Sequence, residues 1–170
     1  KDRRHDRRCV ARVKSTMRKS ADSQALDRSG RRHSIWPIIQ QFKGWGWKSF
    51  PTEEEFYGMC FASIAAGAQG ITLYTYGGFY NKGVTFSERI WTSTTNCMRR
   101  IASLAPVLTE RTPVQPPAPR ILSGPERDEL GEMSVSALYK QKDGVKYLIA
   151  VNSADCEVKA SFSPSASGSV

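Results

Sequence analysis

This chain of 170 residues lacks long apolar runs and closely spaced cysteines and has few histidines. No stretch approaches the ~20 apolar residues of a membrane-spanning helix, and charged residues occupy the start, where a signal peptide would carry an apolar segment. No membrane partner is expected, and no cellular address is legible. The four cysteines, Cys9, Cys60, Cys97 and Cys156, form no CxxC pair, and with two histidines in the chain neither a zinc cluster nor a disulfide framework is indicated. Neither a metal nor a cofactor is expected. Cys60 and Cys97 fall on or near the apolar positions of helical patterns and read as small buried hydrophobes.

Acidic residues are also scarce, sixteen against twenty-five Lys and Arg, and the imbalance is local. Residues 1–33 hold twelve basic and four acidic side chains, net +8, which leaves thirteen against twelve, net +1, for 34–170. Apart from alanines, the apolar residues of 1–33 are Val10, Val13, Met17 and Leu26, too sparse to define a stripe that buries a helix face. The segment reads as a disordered basic arm. Arg3, Arg4, Arg7, Arg8 and Arg12 suit neutralisation of phosphates, which makes nucleic acid a partner to weigh. The abrupt change to patterned sequence at Ser34 is also what a reading-frame error produces, so the arm need not be native, and nucleic acid is the weaker alternative.

From Ser34 onward the pattern is that of a globular protein. Residues 35–42 form a short, nearly continuous apolar run, as in a strand buried on both faces of a parallel sheet. A loop with Trp45 and Trp47 follows. Thr52 and Glu55 then have the spacing of a capping box, with Glu53, Glu54 and Glu55 complementing the helix dipole. Phe56, Met59, Cys60, Ser63 and Ile64 recur at intervals of three and four, Gly67 is placed to end the helix, and residues 70–76 read as a second buried strand. Strand, helix and strand with short links predict a βαβ unit. Ser87 can cap a second helix with Ile90, Trp91, Thr94, Cys97 and Met98 on its apolar face. The proline-rich residues 113–119 read as a linker. Beyond it the period changes to two: residues 133–139 and 145–151 flank the turn signal Asp143-Gly144, and 158–162 alternate as a third strand. The expected organisation is an arm (1–33), an α/β part (34–112), the linker, and an antiparallel β-domain (120–170) that ends truncated.

Residues 36–162 resemble the C-terminal part of a (β/α)8-barrel glycoside hydrolase of the bacterial β-galactosidase-like kind. The strand Trp36-Pro37-Ile38-Ile39-Gln40-Gln41-Phe42, the helix entry Pro51-Thr52-Glu53-Glu54-Glu55 and the phrase from Ala65 to Tyr76 carry the likeness. It implies the last two β/α units of a TIM barrel followed by part of a β-sandwich, a fragment that needs further strands to close. The strand ends and following loops would then face the active site. Gln41, Trp45, Trp47, Tyr74 and Tyr76 become the candidate substrate-binding residues, since indole and phenol rings stack on the C–H face of a pyranose. Packing of the loop over the barrel rim accounts for the tryptophans equally well, and core filling for the tyrosines.

The chemistry is less well supplied. Glycoside hydrolysis uses two carboxyl groups flanking the scissile bond. Here the end of the first strand reads Gln40-Gln41-Phe42, and Glu53, Glu54, Glu55 and Glu88 are explained by helix N-termini. No catalytic residue is assigned. The expectation is an inactive fragment of a carbohydrate-active enzyme with a carbohydrate partner. The alternatives are a non-catalytic carbohydrate-binding or interaction module, and a basic nucleic-acid-binding protein acting through 1–33.

Overall fold

Thr52 opens the helix around which the other elements pack. Its hydroxyl accepts from the Glu55 N–H at 3.2 Å while the Glu55 carboxylate accepts from the Thr52 N–H at 2.7 Å, a reciprocal capping box. The computed structural model describes residues 8–22, 34–44, 48–77, 82–110 and 118–162. Within them the helices are α1 (Arg8–Asp22), α2 (Glu53–Ala65) and α3 (Glu88–Leu108); the strands are β1 (Ile38–Gln40), β2 (Thr72–Tyr74), β3 (Arg120–Ser123), β4 (Val135–Lys142), β5 (Val145–Asn152) and β6 (Lys159–Ser161). In α2, Phe56, Met59, Cys60, Ser63 and Ile64 are buried as their spacing predicts, and Gly67 follows with φ +91°. The helix touches α1, α3, β1 and the β4–β5 hairpin. One cluster joins Val10, Ile39, Phe56, Met59, Cys60, Ala62, Cys97 and Val151, so a single core draws on residues from α1 to β5.

The basic arm is the first correction. Residues 8–22 are an ordered helix rather than disordered chain, with Val10, Ala11, Lys14 and Met17 buried at intervals of three and four. Burying Val10 and Met17 contributes on the order of 2 kcal/mol each. A glycine at position 58 lets α1 come close, because a Cβ there would sit 2.9 Å from Val10 Cγ2. The rest of the expected arm, 1–7 and 23–33, lies outside the described residues, as does most of the proline-rich linker.

Lys14 looks wrong for a buried stripe until its partners are counted. Its ammonium donates to Asp128 Oδ2 at 2.7 Å, to Ser153 Oγ at 2.6 Å and to the Met133 carbonyl, which uses all three protons. Ser153 in turn has one proton to give, to Asp128 Oδ2 at 2.7 Å or to the Ser134 carbonyl at 3.0 Å. Asp128 Oδ1 accepts the N–H groups of Leu130 and Glu132, so the same carboxylate also ties the loop before β4.

The barrel and the sandwich are the second correction. β1 and β2 do pair in parallel, Ile38 with Thr72, Ile39 with Leu73 and Gln40 with Tyr74, but among the described residues they pair with no other strand. The described residues form three separate two-stranded sheets: β1–β2, the antiparallel β3–β6 and the hairpin β4–β5. A barrel requires strands that close on themselves at matched tilt and stagger, and a pair with two open edges is no part of one. Among the described residues one face of β1–β2 is covered and the other is open at Ile38: Ile39 is fully buried, while Ile38 is 67% exposed. The hairpin turns through Asp143 (φ +49°) and Gly144 (φ +77°), the left-handed pair that the Asp-Gly signal predicts. β6 does not extend it into a meander but pairs with β3 through a bulge. The fold is therefore a mixed α/β arrangement of small open sheets.

The buried pair sets an expectation for stability. Lys14→Met leaves the Asp128 carboxylate buried without its counter-charge and should cost about 3–5 kcal/mol in urea unfolding. Burial pushes the Asp128 carboxyl up, but hydrogen bonds from Lys14, Ser153 and Leu130 and the Lys14 charge outweigh it, and the group ends below its ordinary value. A depressed native value means that the contribution is full above the ordinary aspartate range and disappears as pH falls through the native value. The stability gap between wild type and Lys14→Met should accordingly narrow with acidification. A gap that is constant from neutral pH down to acid unfolding would show that this pair does not hold α1.

Candidate functional site

Beyond β2 the chain runs through Thr75 and Tyr76, and residues 82–86 return across it. Val84 N–H donates to the Thr75 carbonyl at 2.9 Å, and the Thr85 N–H and hydroxyl both reach the Tyr76 carbonyl, at 3.2 and 3.1 Å. This crossing needs glycine at 83, where a Cβ would fall 2.1 Å from the Thr75 oxygen. A 3-10 turn (Val84–Phe86) then leads to Ser87, whose hydroxyl caps α3 by accepting from the Ile90 N–H at 3.4 Å. An open cleft of about 470 Å3 lies between the end of β2, this turn and α3. That volume falls within the roughly 300–1,000 Å3 usual for small-ligand sites.

The cleft is mainly apolar. Leu73 and Val84 line it from the strand and the turn, and Trp91, Thr94, Thr95, Met98 and Arg99 from one stripe of α3. Tyr76 stands at its edge, 71% exposed, and Trp91 is 47% exposed. Arg99 is the one charged residue of the lining among the described residues and bonds Asn96 Oδ1 at 3.3 Å.

The five residues singled out in the sequence are placed unequally. Tyr76 lines the cleft. Gln41 lies behind it, 1% exposed, donating from Nε2 to the Thr94 hydroxyl at 2.8 Å, while that hydroxyl donates to the Ile90 carbonyl at 2.7 Å. Gln41 Oε1 has no hydrogen-bond partner among the described residues. Tyr74 is directed elsewhere, its ring edge-on to Phe42 with centroids 5.5 Å apart. Trp45 and Trp47 fall outside the described residues. Trp91 and Arg99 were missed. Trp91 carried a signal, since it sits three and four residues before Thr94 and Thr95 and seven before Met98, but that spacing reads equally as a core-facing stripe.

Cys60 and Cys97 are fully buried where α2 meets α3. The neighbouring Cys97 thiol together with burial pushes the Cys60 thiol up, away from the reactive thiolate. Among the described residues no group of three or more His, Cys, Asp and Glu is arranged to hold a metal ion, and no helix is long and apolar enough to cross a membrane.

Comparison with known proteins finds no matching family model, no matching curated protein and no matching solved structure. The resemblance to barrel glycoside hydrolases is therefore corrected together with the activity it implied. The strands are not barrel strands, and among the described residues the cleft lining contains no carboxylate where glycoside hydrolysis requires two.

The amide behind the cleft generates a stability test. Thr94→Val removes the acceptor of Gln41 Nε2 and leaves a second polar atom of the same buried amide unpaired, at a cost of about 1–3 kcal/mol. Gln41→Leu removes both atoms and should be near neutral. Thermal unfolding of the two single variants and the double variant measures this. A Gln41→Leu loss as large as that of Thr94→Val would mean that Oε1 is satisfied after all.

Proposed function

We propose that the chain is a binding module whose cleft between β2 and α3 holds a ring with an apolar face, a pyranose of an oligosaccharide. The observation that carries this reading is the cleft itself: a mainly apolar concavity of about 470 Å3 with two large aromatic side chains exposed at it, Trp91 by 47% and Tyr76 by 71%. Leaving an indole and a phenol in contact with water forfeits part of the stabilisation that burying them would supply. A ligand that covers them recovers it. A sugar ring suits the arrangement because its axial C–H groups present an apolar face to Trp91 while its hydroxyls reach outward to the Tyr76 hydroxyl, the Trp91 N–H and the Arg99 guanidinium. Leu73, Val84 and Met98 exclude water beneath it.

The test is calorimetric titration of the full chain with neutral oligosaccharides, repeated with Trp91→Ala and Tyr76→Ala. Saturable binding should weaken about tenfold in Trp91→Ala, as for loss of an aromatic anchor, with unfolding little changed because the ring is half exposed. The reading fails if no oligosaccharide binds saturably, or if binding is found and neither substitution alters it.

A further inference from the structure

Lys43 and Lys82 are directly opposed across an isolated antiparallel bridge and exchange both backbone hydrogen bonds, each at 3.0 Å. A pair of that type carries its side chains on the same face with Cα atoms about 5.5 Å apart. Like charges in such a position destabilise the pairing. Neither ammonium forms an ion pair with a described residue. Both instead converge on one phenyl ring, that of Phe86, at 4.9 Å for Lys43 and 4.5 Å for Lys82, and Lys43 is also 6.0 Å from Phe50. Phe50 and Phe86 are stacked with centroids 5.4 Å apart, so the lysines stand over an aromatic base with Phe86 45% exposed. The ring quadrupole offsets part of the repulsion but brings no compensating charge.

We propose that Lys43, Lys82 and Phe86 form a binding site for a phosphoryl group carried by a small molecule. Two fixed positive charges on one face are matched by a single dianion, and a phosphomonoester carries close to two negative charges at neutral pH with three acceptor oxygens. A monocarboxylate neutralises only one of the two. Phe86 excludes water on the side away from the anion, which strengthens the attraction. The site is independent of the oligosaccharide reading: Val84 of the same 3-10 turn is buried and lines the cleft, whereas Phe86 is exposed and is not among the lining residues.

The experiment uses the full chain and two probes, inorganic phosphate and phenyl phosphate, at ionic strength held constant with chloride. Their binding is followed by lysine side-chain NMR shifts and by the thermal midpoint. Both probes should shift the Lys43 and Lys82 signals saturably and raise the midpoint, with acetate at least about tenfold weaker. In Lys43→Gln/Lys82→Gln the phosphate response should vanish, while the midpoint without phosphate rises because the repulsion is gone. The charge-conserving Lys43→Arg/Lys82→Arg should retain binding, which guards against misfolding of the neutral variant. Tighter binding of phenyl phosphate assigns an aryl ester resting on the Phe50–Phe86 pair, and equal binding assigns the phosphoryl group alone. A phosphate response unchanged in the double glutamine variant, or no greater than that to acetate, overturns the proposal.

Discussion

The ion pair between Lys14 and Asp128 is the constraint on which the arrangement of the chain depends. It joins the first helix to the loop before the β-hairpin, 114 residues away. The ammonium is saturated by a carboxylate, a hydroxyl and a carbonyl, and the carboxylate also gathers two backbone N–H groups of its own loop. A buried pair adds less net stability than its Coulomb attraction suggests, because both ions give up their hydration. Its stronger effect is on specificity. The close approach of Val10 to Gly58 favours one placement of α1 on α2, and the same placement sets the ammonium against Asp128, whereas a shifted helix leaves two buried charges apart.

The same helix sets what the small parallel pair can do. α2 covers β1–β2 on one face only, through Ile39, and parallel strands are ordinarily covered on both. The opposite face carries the exposed Ile38 and Tyr74, whose ring meets Phe42, and the end of β2 supplies Leu73 and Tyr76 to the cleft. The exposure of Tyr76 at the cleft and of Ile38 on the sheet accords with a βαβ unit that, among the described residues, does not continue into a larger sheet.

Much of the local structure was legible because its causes are local. The capping box of Thr52 and Glu55, the buried stripe of α2, the Ser87 cap and the Asp143-Gly144 turn each depend on residues within a few positions of one another. The failures share the opposite cause. α1 was missed because the residue at the centre of its buried stripe is a lysine, whose neutralising partner is remote in the chain. The barrel was inferred from two apolar strands that do pair in parallel, but apolar runs report that strands are sheltered, not how many neighbours they have. Of the candidate site, Tyr76 and, one layer behind, Gln41 were within reach. Trp91 and Arg99 were not, because a helical repeat does not distinguish a face that packs on protein from one that borders a cleft.

The span of the Lys14–Asp128 contact also bears on the order of events during synthesis. As the chain emerges from its N-terminus, α1 and α2 are both available long before residue 128 exists, so their apolar faces can meet while Lys14 still requires water. The earliest pairing of the two helices must therefore keep that edge hydrated and loosely docked. Closing the loop of more than a hundred residues carries a conformational entropy that only the later contacts offset, which places the drying of this edge among the last steps of folding.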